Sequence, residues 1–478
     1  MKTPALFLFP LVLLGATGSS DPNTVSALAR KAPAEFAADA LIRLASNEKL
    51  DSRARVKWLT EAFRRAAEAQ HPIKLRASIT RNNVGAYLER AYQQDLDALS
   101  LRLRAVRQML SLDSGKATKL FLSIARPAVP PFRCEDIVVA DVGRYYETLG
   151  AISKIGHRDV AKMLKDRIGG ITSPAQIAPV AQLLQQAELK DSDLEALTVS
   201  LAASLREISG DDRSFTYYAA ATGPAILDLV GELASHHLSP LPLVEAYRLY
   251  LVHHLTGDRC ADGYLINNGP PSINLASGRM SEVLGWNASV FFAEKILMPP
   301  VKPLTEQETT PHSLEGFAAG VNSCQDSQCQ DINGQVRDLA FGPEGQALLA
   351  SQHNDAWRAR LQTTLAALEA WQPGKGQADE VFREKTAAYN SLAWMDSGAS
   401  RENVLRSWLN YLKQSRATVS DRAQWFFPVN ALIGRAALDP SNTKLAELLR
   451  AQDDPVIALY VQLEPLAPRG PDKILPLL

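Results

Sequence analysis

Cysteine is scarce in this chain, with 4 residues in 478, too few for a miniprotein whose crosslinks stand in for a core. A dominant charge is missing too, since Lys+Arg 51 stand against Asp+Glu 52 and leave a formal net charge of -1. That balance excludes nucleic-acid binding by bulk charge. Gly 27 and Pro 28 are ordinary amounts and exclude collagenous material, while 46% apolar and 22% charged residues exclude a disordered chain. Signatures of several chemistries are also absent. Gly115-Lys116 lacks the upstream glycine and following Ser or Thr of a phosphate loop, and no Gly-x-Ser-x-Gly elbow, Gly-x-Gly-x-x-Gly turn or His-Glu-x-x-His pair occurs. Nucleotide and α/β-hydrolase chemistry are disfavoured, and neither a metal nor a cofactor is expected.

What is present begins with a leader. MKTPALFLFPLVLLGATGSS carries one basic residue, Lys2, an apolar run from Ala5 to Leu14, and the small residues Ala16 to Ser20. A run of this length falls short of the roughly 20 residues that span a bilayer, so a cleaved signal peptide is expected over 1–20, cut after Gly18 or Ser20. No cysteine at the junction points to lipid anchoring, and no later stretch nears spanning length. The expected mature chain is soluble and secreted or periplasmic, with no transmembrane segment.

The four cysteines, Cys134, Cys260, Cys324 and Cys329, suit an oxidising compartment and allow three connectivities. Gln325 to Gln328 form a short hydrophilic loop that favours Cys324 with Cys329, leaving Cys134 for Cys260. Chain entropy assigns about 5 kcal/mol to the long bridge and about 2 to the short one.

Helical periodicity dominates the rest. From Asp51 onward, Val56, Leu59, Phe63, Ala66 and Ala67 form one stripe, with Arg53, Lys57, Glu61, Arg64 and Glu68 opposite. Leu96, Leu99, Leu103, Val106 and Leu110 repeat the pattern, as do Leu194, Leu197, Leu201 and Leu205. Ser173-Pro174 and Ser239-Pro240 read as helix starts, and Ser192 with Glu195 as a capping box. Six helices are expected near the C-terminus, over Asp355–Trp371, Ala378–Met395, Arg401–Gln414, Asp421–Leu438, Lys444–Ala451 and Pro455–Leu463. Alternating strand runs are lacking; Ile137 to Ala140 is apolar but short. The expected class is all-α, as an irregular array of helical hairpins resembling an α-solenoid, or alternatively a compact multi-helix domain or α/α toroid.

The interval from Gly257 to Gly345 breaks the pattern with glycine and proline clusters, one expected helix at Val283–Leu297, and three of the four cysteines. It divides the chain into an N-terminal helical array over 21–256, a loop-rich insert over 257–345 and a C-terminal helical array over 346–478. Val301 to Gly345 has seven acidic residues against two basic, whereas Asp51 to Leu110 has twelve basic against six acidic. These are solvated faces or a pair of complementary docking surfaces.

Pairing of Cys134 with Cys260 would bring Glu135 and Asp136 against Asp258 and Asp262, beside Arg133 and Arg259. Such a cluster can split carboxylate pKa values for acid and base work, or neutralise itself as salt bridges. Asp258 to Gly263 imitates a calcium loop but has Cys260 at position three and Gly269 at position twelve, and Cys329 to Gly334 is a poorer copy with Ala340 at position twelve. The doublets His236-His237 and His253-His254 project about 100° apart on a helix and suit C-terminal turns better than a shared metal. The aromatic runs Tyr145-Tyr146, Tyr217-Tyr218 and Trp425-Phe426-Phe427 could line a carbohydrate or peptide groove or fill core and rim. Asn287-Ala288-Ser289 is a glycosylation acceptor in a eukaryotic host. The sequence thus leads first to an exported helical-repeat scaffold that binds a protein, peptide or glycan. Its alternative is an all-helical extracytoplasmic enzyme acting on a polymer through Glu135, Asp136, Asp258 and Asp262.

Overall fold

The computed structural model describes residues 21–77, 83–133, 136–155, 160–208, 210, 212, 214–255, 286–287, 289–292, 327–350, 355–395, 399–439 and 442–467. Leader residues 1–20 lie outside them, as do Cys134, Glu135, Asp258, Cys260, Asp262 and Cys324.

The oily stripes form the helices they imply. Helices α1 (Pro22–Ala29) and α2 (Ala34–Ala45) open the described chain. Asp51 caps α3 (Ser52–Ala66) by accepting from the Ala54 N–H, and Trp58, Leu59, Ala62, Phe63 and Ala66 point inward. Ala67, expected on that stripe, is exposed. After α4 (Asn83–Tyr92), Asp97 caps α5 (Ala98–Leu110) through the Ser100 N–H, followed by α6 (Ser114–Leu122). The next elements are α7 (Gly143–Ser153), α8 (Val160–Ile168) and a 3-10 turn at Pro174–Gln176 leading into α9 (Ile177–Gln186). Ser173 and Gln176 form a reciprocal capping box at that turn, the expected start.

Helix α10 (Asp191–Glu207) corrects a second start. It begins at Asp191 with Lys190 as the capping residue, so Ser192 lies in the first turn and makes no box with Glu195. Helices α11 (Phe215–Ser235) and α12 (Leu241–Leu255) close the N-terminal part. The C-terminal part comprises α13 (Ser327–Ala340), α14 (Pro343–Ala350), α15 (Asp355–Ala370), α16 (Ala378–Ala393), α17 (Ala399–Ser415), α18 (Arg422–Leu438), α19 (Thr443–Arg450) and α20 (Pro455–Leu463). The bounds of the last six fall within about two residues of the periodic expectation. No helix of the described residues is long and apolar enough to cross a membrane.

Helix α13 lies inside the interval read as loop-rich. Cys329, Ile332, Val336 and Leu339 recur along one face and are buried, so this end of the interval is core-forming helix, and residue 345 falls within α14. The imitation calcium loop from Cys329 to Gly334 is helical. A second correction concerns strands. Leu75, Val139 and Ala140 belong to a small antiparallel ribbon in which β1 (Lys74–Ala77) pairs with β2 (Val138–Asp141), Lys74 opposite Asp141 and Ala77 opposite Val138. Four residues are too few for periodicity to declare a strand; the partner some 60 positions away supplies the ladder.

The two ends of the described chain meet. Helix α20 packs against α1 and α2, and α18 packs against α4. Phe36 of α2 lies 4.9 Å from the Phe426 ring and 6.3 Å from that of Tyr460, an aromatic cluster linking both ends. Truncating a buried Phe of this kind costs about 3–5 kcal/mol. Around it, the Tyr460 hydroxyl donates to Asp39 at 2.7 Å, Arg104 lies 2.7 Å from the same carboxylate, and Arg43 reaches Glu464 at 2.8 Å. Contact between first and last helices is foreign to an open hairpin array and favours the compact alternative. The main apolar core runs from Val25 to Ala467, with two small clusters apart from it around Ala77 and Phe132.

Candidate functional site

Of the four candidate carboxylates only Asp136 is described, half-buried. Its side chain accepts from the Arg133 N–H at 2.7 Å while its own N–H donates to the Arg133 carbonyl at 3.0 Å, so it stabilises a local turn. Glu135, Asp258 and Asp262 fall outside the described residues, and with them the proposed cluster. Among the cysteines, Cys329 alone is described. It is buried, it is not a free thiol, and Asn333 Nδ2 donates toward its Sγ at 3.7 Å. No joined cysteine pair lies among the described residues.

The aromatic runs are mostly interior. Tyr145, Tyr146, Trp425, Phe426 and Phe427 are all buried, leaving no ring of these for a groove; Tyr217 and Tyr218 are half-buried beside the ribbon. Both histidine doublets end helices, as expected. His237 adopts a positive φ of 56° just past α11, where His236 contacts Asp191 and Glu232, which raise its pKa. His254 is buried and stacks 5.0 Å from Phe215. Asn287 departs from its expected role. It is fully buried, its Oδ1 accepts from the Tyr247 hydroxyl at 3.0 Å, and a Cβ at Gly223 would stand 1.9 Å from that oxygen. The folded chain offers no room there for a glycan.

Helices α15, α16 and α17 border a partly open cavity of about 460 Å³ that none of the sequence motifs marks. Helix α16 turns Val381, Lys385 and Tyr389 toward it at spacings of four, so they stack on one face. Helix α17 contributes Asn410 and Tyr411. The Trp371-to-Pro373 connection and Glu369, at the end of α15, complete the wall.

Lys385 sits at the centre of this wall, 3% exposed. Its Nζ donates to the Trp371 carbonyl at 2.9 Å and lies 4.6 Å from the centre of the Tyr411 ring. No acidic side chain among the described residues reaches it within ion-pair distance. Burial therefore pushes the amine down to about 8, with Glu369 pulling weakly the other way. One turn along, Tyr389 is fully buried and its hydroxyl has no hydrogen-bond partner among the described residues, while burial raises its pKa. Its ring lies 5.8 Å from Tyr411 and stacks on Trp408. Glu369 stands exposed and accepts from the Ser407 hydroxyl at 2.7 Å.

The arrangement offers a buried donor set, ammonium and phenol, in a recess lined by rings and by polar side chains such as Gln372, Asn410 and Gln414, with the Glu369 carboxylate exposed beside it. A buried polar group without a partner costs about 1–3 kcal/mol, more when charged, and a methionine at 385 would fill the same length without that cost. An elevated acid exists elsewhere: burial raises Asp97 to about 6, but its side chain caps α5 and it does not line this cavity. The signal for Lys385 was in the sequence as a lysine on the inward stripe of Val381, Phe382, Ala388, Tyr389 and Leu392. It is invisible to a motif search because it belongs to no motif. No family model, curated protein or solved structure matches this chain.

Proposed function

We propose that this is an exported all-helical protein that works by binding, and that its ligand seats in the cavity between α15, α16 and α17. Export rests on the leader grammar of Met1 to Ser20. The protein, peptide or glycan it serves would place a side group or end group in the recess, which is sized for a small organic moiety. The observation that carries the reading is Lys385 together with Tyr389, two buried donors of which, among the described residues, one has no acid and the other no acceptor.

The dye 8-anilinonaphthalene-1-sulfonate, an aromatic anion, tests it. Added to the full chain it should show saturable, one-to-one fluorescence enhancement, and Asn410→Trp, a large ring at an exposed position beside the cavity, should abolish the signal while leaving the thermal melt within a few degrees. Equal enhancement in both proteins, or none in either, would overturn the assignment of the cavity as the binding site.

A further inference from the structure

Resting on that reading, we propose that the cavity selects a singly charged organic carboxylate, with Lys385 as its anchor. The ammonium has three hydrogens. One is taken by the Trp371 carbonyl at 2.9 Å and another is directed at the π face of Tyr411, its centre 4.6 Å away. The third has no acceptor among the described residues. A carboxylate oxygen supplies both the acceptor and the counter-charge that Lys385 lacks among the described residues, and a charge-assisted bond to this nearly buried ammonium is the strongest this site can form. Tyr389, at the i+4 position on the same face of α16, lines the same cavity and carries a second buried donor, without a partner among the described residues, that on this proposal turns to the same anion.

Two features set the class more narrowly. Trp371, Val381, Tyr389 and Tyr411 offer ring faces and an apolar edge to the body behind the charged head, while side chains such as Gln372 and Asn410 make much of the rest of the lining polar. Glu369, held by Ser407, is a fixed negative charge at the same cavity. It repels a second anionic group, so dicarboxylates and phosphate are disfavoured relative to a monocarboxylate.

The chemistry carries a proton signature. A bound carboxylate favours the charged amine and so raises its pKa, and binding near pH 8.5 takes up a proton, whereas binding at pH 6.5 does not. The titratable groups facing Lys385 are Glu369 from α15, Tyr389 from α16 and Tyr411 from α17. Burial raises both phenols and keeps them neutral throughout this range.

Titration calorimetry of the full chain with benzoate, benzamide and inorganic phosphate provides the test, in two buffers of different ionisation enthalpy. Benzoate should bind at least tenfold more tightly than either comparison compound, with proton uptake at pH 8.5. Lys385→Met should lose at least tenfold in benzoate affinity and all of the uptake, Tyr389→Phe should lose a few-fold, and Glu369→Gln should improve phosphate relative to benzoate. Benzoate and benzamide binding alike, both lost in Asn410→Trp, would overturn the carboxylate preference and leave the cavity as the binding site. Failure of all three compounds to bind, while the dye still distinguishes Asn410→Trp, would overturn the preference in the same way; failure of the dye as well would overturn both readings.

Discussion

Asp39 in α2 and Lys385 in α16 are both buried ionisable groups, and they sit in opposite circumstances. Asp39 receives Arg104 at 2.7 Å and the Tyr460 hydroxyl at 2.7 Å, with Arg43 close by. Burial works against its charge, yet these neighbours hold its carboxyl below the usual range. Lys385 meets the same opposition from burial with a carbonyl and a ring for company, and its pKa falls. Satisfied buried charge joins the ends of the chain, whereas unsatisfied buried charge faces a cavity. The difference separates scaffold from candidate site more clearly than any residue motif does.

The comparison is broken most directly at Asp39. Asp39→Ala leaves Arg104 without its carboxylate and the Tyr460 hydroxyl without its acceptor, and should cost about 3–5 kcal/mol in urea unfolding. A loss under about 1 kcal/mol would mean the network does not hold α2 to α20. Lys385→Met should behave oppositely, with stability at pH 7 unchanged or raised by about 1 kcal/mol. Its pH dependence sharpens the point. The amine titrates at about 8 when folded and at the ordinary 10.5 when unfolded, so between those values the unfolded chain binds the extra proton and wild-type stability rises with pH. The methionine variant should lack that rise in denaturation midpoints measured across the window.

A smaller effect belongs to His71 and Asp421, which lie 3.2 Å apart where the chain before α4 meets the start of α18. Asp421 raises the His71 pKa, so the stabilisation is fully present below about 6.5 and is lost as pH climbs through the raised value. Burial opposes charge on Asp421, but His71 and Tyr92 bring it down to about 2, so its share fades only as pH falls from about 4 toward 2. His71→Phe should remove about 1 kcal/mol or less, seen as a flatter stability profile between pH 6 and 8. An unchanged profile would show that the pair adds nothing to the junction.

Much of the helical frame was legible because an amphipathic stripe is local: Leu194, Leu197, Leu201 and Leu205 reveal their buried face without reference to any other element. Misreadings arose where a distant partner decides. Val138–Asp141 becomes a strand through Lys74–Ala77, and Asn287 is a core hydrogen-bonding residue because Tyr247 and the space at Gly223 receive it. Ser192 failed as a cap because Lys190 is the capping residue and the helix begins at Asp191, two residues earlier than a Ser192 cap would place it. At the candidate site, Lys385 was visible only as an interruption of an oily stripe, and nothing in its neighbours reveals whether such a lysine will find an acid.

By itself the sequence determined a predominantly helical chain, the bounds of the last six helices and the faces that several stripes bury, since each of these follows from side chains three or four positions apart. The tertiary structure alone decided that α2 receives α20, with Asp39 and Tyr460 bonded across 421 positions, and that Lys385 and Tyr389 border a recess instead of solid core. Pairing at such separation depends on which surfaces fit and which charges meet, and a periodic pattern carries no record of either.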